Sequence, residues 1–222
     1  MALAIITGGS RGLGRALAED LAHDGWDVVV DARRLTDLPP GVRGIEGDVT
    51  DPRHRAALVD AAKEHGRLDL LVNNASELGP SPLPRLADHP LDALEDVYRA
   101  NVVAPLGLIQ LALPLLVASH GVIVNVTSDA AVEGYEGWGG YGSSKAALEQ
   151  LSNVLAVEQP EIRVWAFDPG DMRTQMHQDA FPGEDISDRP EPQTVVPALR
   201  RLIADLPPSG RVRAADLFAA AR

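Results

Sequence analysis

Seven short runs of aliphatic and β-branched residues recur along the chain, and they constrain its fold more than any other feature. They are LAIIT (3–7), DVVVD (27–31), VRGIEG (42–47), LDLLVNN (68–74), GVIVNV (121–126), IRVWAF (162–167) and GRVRA (210–214). Most are continuously apolar, the pattern of strands covered on both faces, as in a parallel sheet. Helix-period segments lie between most of them. LGRALAEDLAHDG (13–25) sets Leu13, Leu17 and Leu21 on one face and stops at Gly25. DPRHRAALVDAAKEHG (51–66) opens with Asp and Pro, a cap and first-turn pair. The segment 92–117 is long, and Pro105 and Pro114 predict kinks in it. SSKAALEQLSNVLAVE (143–158) is amphipathic. Strands alternating with helices, joined by right-handed crossovers, predict an α/β fold. We expect one doubly wound parallel sheet of about seven strands, with helices on both faces, as a single domain over 1–222. One connection breaks the alternation: ARRLTDLPPG (32–41) carries two prolines and has no room for a full helix, so a turn is expected. The Pro-, Gly- and charge-rich segment at about 171–193 reads as a functional lid or a disordered stretch.

Composition excludes several classes. Across 222 residues the formal net charge is −12, which offers no basic footprint for nucleic acid or an anionic membrane. There is no cysteine, hence no disulfide framework, thiol nucleophile or cysteine metal site. The six histidines are scattered without paired spacing, and no metal site is expected. The apolar stretch 105–126 is broken by Gln110, Pro114, Ser119, His120 and Gly121, so it reads as a buried helix followed by a buried strand. The first residues have neither a basic region nor a cleavage site. A cytoplasmic protein is expected.

TGGSRGLG (7–14) follows the first strand and opens the first helix. Glycines let a backbone turn tightly and approach a ligand, and the free N–H groups of a helix start favour an anion such as a pyrophosphate. In that strand–turn–helix context the loop points to a dinucleotide. Far along the chain, YGSSK places Tyr141 and Lys145 at i and i+4, on one helix face. An ordinary tyrosine, with a pKa of about 10, is a poor acid–base group near neutrality. A neighbouring ammonium favours its phenolate. So tuned, a phenol can hand a proton to a carbonyl oxygen or take one from an alcohol. Ser128 follows the strand VIVNV at its carboxyl end, where open α/β sheets bind ligands, and its hydroxyl can hold a substrate oxygen.

The spacing TGxxxGxG, with GDV (47–49), NNAS (73–76), Asn101, Ser128, YGSSK and PGDMRT (169–174) in that order, resembles the short-chain dehydrogenase/reductase family. The likeness runs from Thr7 to the last strand near Arg213. It implies a Rossmann-type fold, a nicotinamide cofactor, a small alcohol or carbonyl substrate, and a homodimer or homotetramer. It implies cofactor contacts from Thr7, Gly8, Ser10, Arg11, Gly12, Leu13 and Gly14 of the loop. Asp48 and Val49 would hold the adenine, Asn74 and Ala75 the adenosine, and Pro169, Gly170 and Thr174 the nicotinamide side. By the same resemblance Tyr141 is the acid–base, Lys145 its tuner and a ribose ligand, Ser128 the oxygen anchor, and Asn101 the holder of a water that links the lysine to solvent.

Two readings of the cofactor compete. Asp31 ends the second strand, where an acid selects NAD, but it falls one place before the family's selecting acid, and Ala32 occupies that place. Arg33 then stands where NADP-preferring members carry arginine, and Arg11 is a second cation for a 2′-phosphate. NADP(H) is favoured over NAD(H). A second function also stands: a dinucleotide-binding sensor or interaction protein without catalysis, since fold alone does not establish chemistry. Tyr135 and Trp138 line the substrate pocket or merely pack their loop, Tyr98 and Trp165 are expected in the core, and His177 is expected to be solvated.

Overall fold

The computed structural model describes residues 1–35 and 37–219. Thr36, inside the connection read as a turn, and the last three residues of the expected domain lie outside the described residues. The strands are β1 (Leu3–Ile6), β2 (Asp27–Ala32), β3 (Val42–Glu46), β4 (Leu70–Asn73), β5 (Val122–Val126), β6 (Arg163–Asp168) and β7 (Gly210–Arg213). The helices are α1 (Gly12–His23), α2 (Pro52–His65), α3 (Leu91–Tyr98), α4 (Ala104–Ser119), α5 (Gly139–Glu158), α6 (Gln175–Ala180), α7 (Val196–Asp205) and α8 (Ala214–Ala219). All seven strands run parallel in one sheet, in the order β3-β2-β1-β4-β5-β6-β7. The order reverses direction between β1 and β4, and an open parallel sheet binds ligands at such a point, beyond its carboxyl edge.

Period-two alternation sends each strand's side chains to two cores. Ala4, Ile6, Val28, Val30, Val72, Val124 and Phe167 pack with Leu13, Leu17 and Leu21 of α1 and Leu199 and Leu202 of α7. Leu3, Ile5, Val29, Leu71, Ile123 and Val164 pack on the opposite face with Leu58 of α2 and Leu108, Ala112 and Leu116 of α4. Both layers are therefore dry, which is why the strands read as unbroken apolar runs. Asn125 is the exception inside β5. Its amide donates to Ser152 Oγ of α5 at 2.8 Å and its oxygen accepts from Asn73 Nδ2 at 2.7 Å. A fully partnered polar chain of this kind pins α5 to the sheet.

Among its described residues the β2–β3 connection holds no helix, in keeping with its prolines; Gly41 sits at φ +81, in the left-handed region. Asp51 caps α2 by accepting from Arg53 N–H, and Gly66 ends it in the left-handed region. The segment 91–119 breaks differently from expectation. Between α3 and α4, Arg99–Val103 forms a π turn, and Pro105 lies in the first turn of α4, whereas Pro114 stays inside the helix. A proline ring collides with the carbonyl four residues back, here that of Asn101, and widening the turn relieves the collision. By length and composition Leu91–Ser119 is apolar enough to cross a membrane. Here one face of it lies in the core through Ala104, Leu108, Ala112 and Leu116, while Val103 and Leu111 face outward. Trp165 is wholly buried, as expected, but Tyr98 is only half-buried; Val97 fills the core position beside it. The helix α7, with Val196, Leu199 and Leu202 on one face, went unread in the sequence despite its helical spacing.

Candidate active site

The carboxyl ends of β1, β2, β4, β5 and β6 open into a cleft of about 1460 Å³. Its floor at one end is the glycine loop. Gly8 has φ +69, and a Cβ there would lie 2.9 Å from Ala75 Cα, so the loop is drawn tight against the end of β4. Thr7 makes that junction: its hydroxyl accepts from the N–H groups of Asn74 and Ala75, both at 3.0 Å. Asn74 returns the contact, donating to Thr7 O at 2.8 Å. Gly14 is required one turn into α1, where a Cβ would stand 2.5 Å from Asn74 Nδ2 and 2.6 Å from Gly8 O. Arg11 occupies the cap position of α1 without a side-chain cap, which leaves the first-turn N–H groups facing the cleft without a side-chain partner. A positive helix end in a loop too tight for side chains is the cradle a pyrophosphate needs. Ser10, Arg11, Gly12, Leu13, Arg33, Asp48, Val49, Asn74, Ala75, Pro169, Gly170 and Thr174 line the cleft with Gly8. Thr7 and Gly14, expected as cofactor contacts, lie behind it; they shape the loop.

Asp31 is 2% exposed and both its oxygens are engaged. One accepts the Gly8 N–H at 2.7 Å and the other meets His54 Nε2 of α2 at 3.0 Å. Sequence reasoning missed His54, because only the packing of α2 under β2 brings it to that carboxylate. Gly47 makes the room: a Cβ there would fall 2.2 Å from His54 Nδ1. Arg33 stays exposed at the rim, 3.9 Å from Glu77.

At the other end Ser128, Tyr141 and Lys145 face the same cleft. Ser128 lies two residues beyond β5; its hydroxyl donates to Asp129 Oδ1 at 2.9 Å and accepts from Ala130 N–H at 3.2 Å. The helix α5 begins at Gly139, earlier than its amphipathic segment suggests, so Tyr141 lies in its first turn. Burial pushes the Tyr141 phenol above its ordinary value, the Asp168 and Asp129 carboxylates push the same way, and only the Ser76 hydroxyl opposes them. Lys145 is 2% exposed, its ammonium donates to Val126 O at 2.7 Å, and Nζ stands 5.4 Å from the Tyr141 ring centre. Burial lowers Lys145 to about 8. The protein on its own thus holds the phenol up, with the Lys145 ammonium one turn away. Desolvation outweighs one ammonium that points to a carbonyl.

Asn101 lies 1% exposed behind the site, in the π turn. Its oxygen accepts from Glu77 N–H at 2.8 Å and Ser76 Oγ at 3.1 Å; its amide donates to Glu77 O at 2.8 Å and Ser144 Oγ at 2.9 Å. That uses the whole capacity of the side chain and leaves only the main chain of Asn101 to hold the expected water. Ser76, the last residue of NNAS, thereby joins Asn101 to the phenol.

The segment 171–193 contains α6 and closes on itself: Arg173 pairs with Glu191, and Arg189 with Asp171 and Asp188. Met176 and His177 line the cleft. His177 is packed on Phe181 with ring centres 4.9 Å apart and is nearly buried, so the expectation of a solvated histidine fails. Phe181 in turn meets Trp138 at 5.9 Å, and Trp138 meets Tyr141 edge-on at 5.7 Å. Trp138 lines the cleft. Tyr135 does not; its single hydroxyl proton lies within reach of both Asp129 and Glu133 in an exposed loop.

A doubly wound parallel sheet, with a nucleotide cradle and a Ser–Tyr–Lys face in one cleft, defines the class of nucleotide-dependent oxidoreductases. A match to the short chain dehydrogenase family spans residues 2–185, and the chain belongs to that family. An uncharacterized oxidoreductase of Saccharomyces cerevisiae, YIR035C, is 34% identical over 182 residues, covering 78% of this chain and 71% of that one. The benzil reductase ((S)-benzoin forming) IRC24 of the same yeast is 33% identical over 194 residues, covering 79% and 73%. A short chain dehydrogenase of Shigella flexneri solved in complex with NADP superposes with a TM-score of 0.86 at 28% identity, covering 96% and 97%. The protein is a short-chain dehydrogenase/reductase enzyme, in a family that uses NAD(P)(H).

Proposed function

We propose that this enzyme uses NADP(H) to interconvert an alcohol and a ketone or aldehyde. The observation that carries the reading is the convergence of Ser128, Tyr141 and Lys145 on the cleft that holds the glycine loop. A bound nicotinamide would supply or accept the hydride. The chain's own part is to hold the oxygen and move its proton. Ser128 bonds the substrate oxygen and Tyr141 gives that oxygen its proton in reduction or takes it in oxidation. With the phenol held high and Lys145 near 8, both protons are in place at neutral pH, the state that favours reduction. Lys145 also reaches the nicotinamide ribose. Asn101 acts as a brace that fixes Ser76, Glu77 and α5.

Preference for NADP(H) is supported by what Asp31 does. A carboxylate shared between Gly8 N–H and His54 is already engaged at both oxygens, which weakens it as a ligand for ribose hydroxyls, whereas Arg33 and Arg11 stand at the cleft for a 2′-phosphate. The wall formed by Trp138, Met176, His177 and Leu78 suits a carbonyl carrying a bulky apolar or aromatic group, in keeping with the likeness to a benzil reductase. The outward apolar faces of α4 and α5 support a homodimer or homotetramer, and a cytoplasmic location remains part of the proposal.

The test is a panel of aryl ketones, diketones and aldehydes with NADPH and with NADH, followed by absorbance of the reduced nicotinamide. NADPH should be the better cofactor. Tyr141→Phe should bind NADPH as the parent does, and its turnover should fall by roughly 10²–10⁴-fold. Near-parent turnover would remove Tyr141 from the chemistry. NADPH binding without reduction of any member of the panel would favour the sensor.

A further inference from the structure

Behind Ser128 lies a buried charge cluster to which the chemistry above gives no part. Arg211 of β7 reaches across the carboxyl edge of the sheet. One guanidinium nitrogen pairs with Glu149 of α5, and the other donates to Asp168 Oδ2 at 2.6 Å. Both lie 3.3 Å from the main-chain carbonyl oxygen of Ser128. The carboxylates hold further groups: Glu149 accepts from Thr127 Oγ1 at 2.6 Å and Asp168 from Gly170 N–H at 3.0 Å. Side-chain exposure falls from 24% at Arg211 to 12% at Glu149 and 7% at Asp168. One planar fork thus ties together the ends of β5, β6 and β7 and the helix that carries Tyr141 and Lys145. A lysine, as a single point charge, could not span these three acceptors.

The cluster also borders the phenol. Glu149 follows Tyr141 and Lys145 at i+8 and i+4 on the buried face of α5. The charged and titratable groups around Tyr141 are Lys145 from its own helix, Asp129 from the turn after β5 and Asp168 from β6, with His177 of α6 lining the same cleft. Asp129 is drawn to Tyr135 and Ser128. Asp168 is the stronger of the two carboxylates acting on the phenol, and Arg211 is the cation bonded to it.

We propose that Arg211 is a positioning residue of the active site: its guanidinium fixes the Ser128 backbone, and with it the oxygen-binding hydroxyl, and neutralises Asp168 beside Tyr141. This rests on the roles proposed above for Ser128 and Tyr141. Arg211 itself does not line the cleft and touches no reacting atom.

The test compares Arg211→Met with Arg211→Lys. In Arg211→Met, kcat for alcohol oxidation should fall about 10-fold or more, while KM for NADP changes by less than about 3-fold. The rise of oxidation rate with pH should move to higher pH. In Arg211→Lys the pH profile should return towards the parent's, because the charge is restored, while kcat recovers only in part, because the fork is not. A second readout needs no turnover. With a fluorinated tyrosine incorporated, which ionises at lower pH than tyrosine, fluorine NMR follows the residue-141 phenol, assigned by its loss in Tyr141→Phe. Its midpoint should rise in Arg211→Met and fall in Asp168→Asn. A folded Arg211→Met with parent kcat and pH profile and an unmoved midpoint, differing only in a lower Tm, would make Arg211 a structural brace and overturn the proposal. Should Arg211→Met not fold, Arg211→Lys and Asp168→Asn decide by the same midpoint. If the parent reduces no carbonyl, the functional reading fails on its own, and the fluorine titration still settles whether Arg211 acts on Tyr141.

Discussion

Lys145 carries its charge in a place that leaves it 2% exposed, with the main-chain carbonyl of Val126 accepting from its ammonium. Its value falls from 10.5 to about 8, so between those two pH values the unfolded chain binds more protons than the native one. Stability from this group therefore rises as pH climbs from about 8 to 10.5, and is lowest below 8. At pH 7 the burial costs on the order of 3 kcal/mol. Lys145→Met should raise the Tm of the nucleotide-free protein at pH 7 by several degrees, with the gain shrinking at pH 10, even as turnover and NADPH affinity drop. Thermal melts at the two pH values check this, and a variant less stable than the parent at pH 7 would contradict it. The pair Tyr141–Lys145 was legible in the sequence because i and i+4 on a helix must share a face. Glu149, the next residue on that face, could have been read by the same rule; Arg211, His54 and the link through Ser76 could not, since each meets its partner only across the sheet edge.

Among the elements, the glycine loop shows how a local motif depends on its neighbours. The tight turn at Gly8 follows from sequence, but the need for glycine at 14 comes from the Asn74 amide, which directly follows β4. Gly14→Ala would place a methyl against that amide and the Gly8 carbonyl. Overpacking of this kind costs about 1–3 kcal/mol, and here it would also open the phosphate cradle. We expect a lower Tm together with weaker NADPH binding in titration calorimetry; a variant that loses stability but keeps parent affinity would show that the loop tolerates the shift. The π turn at Arg99–Val103 teaches the same lesson. Pro105 announced a break in the helix, but not that the widened turn holds Asn101, whose four side-chain bonds reach Ser76, Glu77 and Ser144.

At the scale of the whole molecule, the π turn, α4 and α5 leave Val103, Leu111, Val154 and Val157 open, the last 82% exposed. We propose that these outward apolar residues form a surface for a second copy of the chain. Sedimentation velocity at micromolar concentration should show a dimer or tetramer, and Val157→Glu should shift it towards monomer; a monomeric parent would sink the assignment. The charge of −12 opposes association, so added salt should favour the oligomer. What the sequence by itself determined is whatever depends on neighbours in the chain. Apolar runs set seven strands, prolines and a short span removed the β2–β3 helix, and the strand–glycine–helix order marked the nucleotide end. The tertiary structure alone decided how distant charges are matched. Asp31 read from the chain as a rival for the ribose, but the packing of α2 gives its oxygens to His54 and Gly8. Tyr141 read as a phenol tuned by its lysine, but the sheet edge surrounds it with Asp168, Ser76 and the reach of Arg211. Burial and Coulomb interactions depend on distance through space, and no spacing along the chain contains that distance.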